Sequence, residues 1–182
     1  LIFYLDTING TGLCAAPFDQ TTSANPITWW ACGRSPLGTS QGIGTGNQNT
    51  IIIVNSFNNS QCSTSSVTYP AKICNNLVLG GYSDWFLPSR DELETMYYNL
   101  ISTGIGNFNS SVGYWSSSEL GAGCAGEYVY GINHLSTTGT IRESSVKASN
   151  ISGCANQGTV ILPGNNSQPV WTAFDVRAVR AF

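Results

Sequence analysis

The side chains able to do chemistry are few and widely spaced. The only imidazole is His134, so any nucleophile–histidine–acid relay has to pass through it, and no G-x-S-x-G elbow supplies the serine. A lone histidine is more often a surface or hydrogen-bonded residue, so no catalytic role is expected for it. The ten acidic residues are scattered along the chain. Calcium takes roughly six to eight oxygens, usually from clustered carboxylates, and no D-x-D-x-D-G loop occurs, so no metal and no cofactor is expected. Gly42-x-Gly44-x-Gly46 is a weak nucleotide signal, because Thr50–Val54 behind it reads as a strand rather than as a phosphate-binding helix. A carboxylate pair for glycoside hydrolysis is a matter of spatial separation, which sequence does not give.

Six cysteines, Cys14, Cys32, Cys62, Cys74, Cys124 and Cys154, form an even set with no C-x-x-C pair and no histidine at finger spacing. Zinc ribbons and redox motifs are therefore disfavoured, and disulfides are the better reading. The expected pairs are Cys62 with Cys74 and Cys124 with Cys154, each stapling a loop-rich segment, which leaves Cys14 with Cys32. Such bridges belong to an oxidising compartment, periplasmic or extracellular. No signal peptide is present and Leu1 is not an initiator Met, so the chain reads as a mature or excised piece of something longer.

The elements that would position these residues must be built with few ions. Charged residues make up only 9% of the 182 residues, against about a quarter in an ordinary domain. Glycine, serine, threonine and asparagine cover the surface instead, a composition that suits extracellular proteins, fibre tips and carbohydrate binders. Seven Lys/Arg, a net charge of −3 and a pI near 4.9 leave nothing to neutralise a row of phosphates, so nucleic acid is excluded as a partner. A mean hydropathy of −0.02, with no apolar run near the roughly 18 residues a span requires, excludes membrane insertion. One domain covering 1–182 is expected.

Segment 1–6 (LIFYLD) and segment 176–182 (VRAVRAF) read as strands that pair and bring the termini together. A further strand is expected at Asn49–Asn55 (NTIIIVN), beside long irregular connections around Gly38–Gln48. Helices are confined to the middle. One starts near Tyr69, with Pro70 at its first position, and runs to Gly80-Gly81. The other is opened by Ser89-Arg90-Asp91-Glu92, a capping box, and carries Leu93, Met96, Tyr97, Leu100 and Ile101 on one face until Gly104 stops it. From Tyr114 strands return: Tyr114–Ser118, Glu127–Leu135, a turn near Thr138-Gly139, Thr140–Ala148 and Thr159–Leu162. Two helices followed by antiparallel strands, with joined termini, is an α+β architecture.

The run Gly80-Gly81-Tyr82-Ser83-Asp84-Trp85-Phe86-Leu87-Pro88-Ser89-Arg90-Asp91-Glu92-Leu93, then Tyr114-Trp115-Ser116-Ser117-Ser118-Glu119 and the closing Val176-Arg177-Ala178-Val179-Arg180-Ala181-Phe182, resembles the C-terminal domain of the Legionella collagen-like adhesin family. Gly12-Leu13-Cys14-Ala15-Ala16-Pro17, Gly42-Ile43-Gly44-Thr45-Gly46-Asn47 and Asn49-Thr50 extend the likeness over nearly the whole chain. The resemblance implies a C-type-lectin-like fold, two helices packed on antiparallel sheets with long loops. It also implies the tip of a bacterial surface fibre, often trimeric, that binds host or prey glycans. Family members that bind glycosaminoglycans rely on basic surface. This chain departs from them in charge, so neutral or amino sugars are favoured over sulfated ones. Gln168-Pro169-Val170 has the Gln-Pro of a lectin sugar loop, with valine where an acid is expected.

A pyranose presents an apolar C–H face and a ring of hydroxyls, so its site needs an aromatic plate beside paired donors and acceptors. Candidates outside most of the motif are Trp29-Trp30, Tyr128, Tyr130, Asn133, His134, Arg142, Asn165, Asn166, Trp171 and Asp175. The ligand-binding set is taken as Tyr128, Tyr130, Asn133, His134, Arg142, Trp171 and Asp175. Tyr128 and Tyr130 share a strand face, where they line a groove or fill the core. Within the motif, Trp85, Leu87, Leu93, Tyr114 and Trp115 are expected to pack, and Asp84, Glu92 and Glu119 to cap or to pair with Arg177 or Arg180 rather than to meet ligand. The expectation is a binding domain, not an enzyme: an extracellular, homotrimeric tip that recognises surface carbohydrate, the alternative being a protein-receptor-binding or structural tip.

Overall fold

Gly46, Asn49, Thr50, Ile53 and Phe57 are buried while Ile51 is exposed, a spacing of three and four that only a helix produces. That helix sits where the β-branched run predicts a strand. Half of its buried face is polar, which hides it from hydropathy. Asn49 Nδ2 donates to the Ser40 carbonyl at 2.6 Å and its Oδ1 accepts from Ser40 N at 2.8 Å. Thr50 Oγ1 donates to the Gly46 carbonyl at 2.8 Å and accepts from Leu87 N at 3.0 Å.

The computed structural model describes residues 1–21, 37–59, 68–108, 113–119 and 175–182, with the strand segments 128–133, 141–146, 159–161 and 167–169. The elements run β1 (Ile2–Asp6), β2 (Thr11–Ala15), α1 (Gly46–Asn59), α2 (Pro70–Asn75), α3 (Arg90–Met96), a π turn (Tyr97–Ile101), β3 (Gly113–Glu119), β4 (Tyr128–Asn133), β5 (Ile141–Val146), β6 (Thr159–Ile161), β7 (Ser167–Pro169) and β8 (Val179–Ala181). The described residues are α+β, with antiparallel sheets ordered β1-β2-β8, β3-β4-β5 and β6-β7. No helix among them is long and apolar enough to cross a membrane.

The terminal strands share a sheet but do not pair with each other, because β2 lies between them, with Cys14 opposite both Ile2 and Arg180. The helix expected from Tyr69 to Gly80 ends early, at Asn75. Gly80 and Gly81, with φ of 64° and 83°, instead form a tight reversal that bridges Leu79 to Tyr82, since two successive left-handed residues suit a hairpin turn. The second helix starts as the sequence predicts. Ser89 accepts from Glu92 N while Glu92 accepts from Ser89 N, and Leu93, Met96, Tyr97, Leu100 and Ile101 are all buried. Gly104, at φ 73°, closes it.

Two cores result. One gathers Ile53, Phe57, Tyr69, Cys74, Trp85, Leu87, Trp115, Val176 and Ala178; the other gathers Phe3, Leu13, Phe86, Leu93, Met96, Tyr97, Leu100, Tyr114 and Val179. Along an extended chain alternate residues face opposite ways. So Trp85 and Leu87 enter the first core and Phe86 the second, as Trp115 and Tyr114, and Ala178 and Val179, divide in the same manner. The motif segments form the wall between the cores, and Trp85, Leu87, Leu93, Tyr114 and Trp115 pack as expected.

Candidate functional site

Three buried ionic side chains build the scaffold. Glu92, with no exposed surface, accepts from Ser89 N at 2.7 Å, Gly44 N at 2.8 Å and Gly46 N at 3.4 Å. A helix does follow the Gly42-x-Gly44-x-Gly46 stretch, contrary to the strand expected there, but the anion at its N-terminus is the protein's own carboxylate. Burial pushes the Glu92 carboxyl above its ordinary value, and the bonds from Ser89, Gly44 and Gly46 only partly offset this. Gly46 has no room for a side chain, because a Cβ there would run into Glu92 Oε2 and meet Ser89 N at 2.8 Å.

Glu119 performs the same service at the other end of that loop. Its carboxylate accepts from Leu37 N at 2.9 and 3.1 Å, and from the Thr39 hydroxyl at 3.2 Å. Ser118 Oγ donates to the Ser40 carbonyl at 2.8 Å and accepts from Arg90 N at 2.9 Å. Arg90 pairs with Asp91 at 2.6 Å and also binds Gln41. The motif's polar residues are therefore spent on fastening 37–46 to α3 and β3. Glu92 and Glu119 cap, as expected, but neither pairs with Arg177 or Arg180 as the alternative had it.

Arg177 has a different partner. Fully buried, it donates to Asp19 Oδ1 at 2.6 Å and to the carbonyls of Ala16 and Gly106 at 3.0 Å and Asn107 at 3.4 Å. Its guanidinium lies 3.8 Å over the Phe108 ring, and Tyr114 donates to the other Asp19 oxygen at 3.1 Å.

Of the sequence-predicted ligand set, Trp171 and His134 lie outside the described residues, as do Trp29, Trp30, Asn165 and Asn166. Tyr128, Tyr130, Asn133 and Arg142 are placed through strand register alone. Tyr130 stands opposite Ser144 and Ile132 opposite Arg142, so positions 128, 130 and 142 fall on one face of the β4–β5 pair and Asn133 on the other. Asp175 is 2% exposed and its backbone bridges Tyr114, accepting from Trp115 N at 3.1 Å. Cys14 and Cys74 stand as free thiols among the described residues, and the expected partners Cys32 and Cys62 lie outside them. Cys74 packs as a small apolar side chain with no exposure, and burial pushes its thiol strongly upward. Cys124 and Cys154 also lie outside the described residues.

The described surface does gather aromatic and polar groups, on the outer face of the β1-β2-β8 sheet. Leu13, Ala15 and Val179 point into the second core, while Cys14 on the opposite face packs against the edge of the first, and beyond that edge Arg180 and Phe182 share the face of Cys14. Phe182 and Gly12 exchange backbone hydrogen bonds at 2.9 and 3.0 Å, and the Phe182 ring lies over Gly12, where an added Cβ would meet Phe182 Cζ at 2.6 Å. Phe182 remains 47% exposed, with Ile2 and Leu5 similarly open. Beside it Arg180 lies 3.8 Å over the ring of Tyr82 and donates through Nε to Asp84 Oδ1 at 2.6 Å. That bond holds the guanidinium above its already high range, so the cation persists at ordinary pH. Among the described residues Arg180 Nη1 and Nη2, Asp84 Oδ2 and the Tyr82 hydroxyl make no further hydrogen bond.

Sequence reasoning left Asp84 to cap or to pair with Arg177 or Arg180, and of these the structure shows the pair with Arg180. It missed that the pair faces outward beside an exposed ring. The available signal was Gly12 across from Phe182, legible only once the β2–β8 register is known. No group of three or more His, Cys, Asp or Glu side chains among the described residues is placed to hold a metal ion. No protein-family model matches the chain, and no curated protein matches it.

Proposed function

We propose that this chain is an extracellular recognition domain that binds carbohydrate, a binding module rather than an enzyme. The supporting observation is the outer sheet face, where the half-exposed Phe182 ring stands beside an ordered Arg180–Asp84 pair. Apolar carbon next to fixed donors and acceptors is the combination a pyranose requires. Low charge adds support, since the net charge of −3 and only seven Lys/Arg leave no basic tract to hold a sulfated polymer. The likeness to the adhesin family's C-terminal domain supplies the rest of the proposal: a C-type-lectin-like arrangement, a trimeric fibre tip and a bacterial cell surface. Tyr128, Tyr130 and Arg142, on one face of β4–β5, remain part of the proposed binding surface.

A second reading, a protein receptor, draws on Ile2, Leu5 and Phe182, exposed on one face. The two separate on a glycan array with the domain displayed multivalently, because weak single-site affinities multiply when several tips engage one surface. Saturable binding to neutral or amino sugars that survives chelator and raised salt is the expected result. A blank array overturns carbohydrate and leaves the protein receptor.

A further inference from the structure

We propose that the outer face of the β1-β2-β8 sheet is a sugar site in which Asp84 and Arg180 grip two adjacent hydroxyls while Phe182 supports the C–H face, selecting uncharged sugars over uronates and sulfates. The proposal rests on the carbohydrate reading and names the residues and ligand class within it.

The geometry separates three tasks. Tyr82 and Asp84 hold Arg180 from two sides, one by stacking at 3.8 Å and one through Nε at 2.6 Å. A guanidinium fixed in this way loses little freedom on binding, which is where preorganised sites gain affinity. What it leaves over is directional. Nη1 and Nη2 of Arg180 are donors without acceptors and Asp84 Oδ2 is an acceptor without a donor, among the described residues.

Two neighbouring sugar hydroxyls satisfy both at once, one accepting from Arg180 and the other donating to Asp84 Oδ2. Phe182 follows Arg180 by two residues on the same face, roughly 7 Å along the strand. That is about the width of one pyranose, so a ring gripped at its hydroxyl edge lays its apolar carbons toward Phe182. Gly12 keeps the aromatic plate low, because any side chain there would strike Phe182 Cζ.

Selectivity follows from charge. Arg180 and Asp84 together carry no net charge, so an anionic sugar that gains from the guanidinium is opposed by the carboxylate beside it. An uncharged diol meets no such opposition and is the ligand class for which both free valences fit.

The test is a titration of the domain, followed by NMR, with the methyl glycosides of glucose, galactose, mannose and N-acetylglucosamine and with methyl glucuronide. It is repeated on Phe182→Ala, Asp84→Asn and Gly12→Val, with thermal melts as a folding control. The expected result is that at least one neutral glycoside binds and methyl glucuronide binds more weakly. Phe182→Ala and Asp84→Asn then each lose about tenfold in affinity, the worth of one stacked ring or one charged hydrogen bond. Asp84→Asn also narrows the gap between neutral and acidic sugars, a readout that lost stability does not mimic. Neutral binding that is unchanged in folded Phe182→Ala and Asp84→Asn overturns this site and leaves carbohydrate binding intact. Preference for glucuronide overturns the ligand class. Absence of binding by every glycoside, on the array as well, overturns the carbohydrate reading itself.

Discussion

Replacing Arg177 with methionine keeps most of its apolar stem and deletes the guanidinium, and the cost can be assembled from its partners. Ala16 loses a buried donor at 3.0 Å. Asp19 loses one at 2.6 Å but keeps the Tyr114 hydroxyl at 3.1 Å and retains 14% side-chain exposure. The Gly106 and Asn107 carbonyls are only partly buried, so water replaces part of what they lose. An orphaned buried acceptor costs about 1–3 kcal/mol and a stacked cation about 1 kcal/mol. The expected destabilisation is therefore about 3–4 kcal/mol, the range found when one member of a buried ion pair is removed. For a chain of this length that lowers the melting temperature by about 10 °C. Calorimetry on Arg177→Met measures it, and hydrogen exchange locates it at 106–108, whose Gly106 and Asn107 carbonyls and Phe108 ring hold the guanidinium. Asp19→Asn combined with Arg177→Met should cost less than the sum of the two, by about 2 kcal/mol. A melting temperature within about 2 °C of wild type, or strict additivity, refutes the assignment of Arg177 as the anchor between β8 and the 106–108 segment.

Gly46→Ala should lose about 2–3 kcal/mol in urea titration through its contact with Glu92, an overpacking cost, while Gly42→Ala, with nothing within 4 Å of its Cβ, should stay within about 0.5 kcal/mol of wild type. Glu92 titrates in the folded state above its ordinary value of 4.5, so across that window the folded chain holds a proton that the unfolded chain has released. Its contribution to stability therefore falls as pH rises through the window and is recovered on acidification. Stability curves of wild type minus Glu92→Gln should carry that slope, and a flat difference counts against it. Iodoacetamide with mass spectrometry should modify Cys14 in the folded protein and Cys74 only after denaturation, because a buried thiol neither ionises nor meets the reagent.

The sequence legible to local rules was the part in which one residue acts through its near neighbours. Ser89 and Glu92 are three apart and announce their capping box; Leu93 to Ile101 announce their stripe. The strand at Tyr114 and the two terminal strands follow from short apolar runs. What failed depended on distant partners. α1 was hidden because Asn49 and Thr50 belong to its buried face, and their acceptors on Ser40, Ser117 and Leu87 have no local signature. The α2 boundary shifted because Gly80-Gly81 reads equally as a helix stop and as a hairpin turn. Arg177 lacked a visible partner since Asp19 lies 158 residues away. The outward-facing cluster of Tyr82, Asp84, Arg180 and Phe182 draws on two segments whose adjacency only register reveals.

The placement of β2 between the two terminal strands also sets how the domain bears load. β1 and β8 both run antiparallel to β2 and hence parallel to each other, so Leu1 and Phe182 sit at opposite ends of one sheet. Tension applied between them drags β1 and β8 past β2 in opposite directions along their length. Every ladder bond between Leu1 and Ala15, and between Gly12 and Phe182, is then strained together rather than one after another. A hairpin tugged at its open end unzips singly; this arrangement resists as a glued lap joint does, yielding only when the whole seam slides.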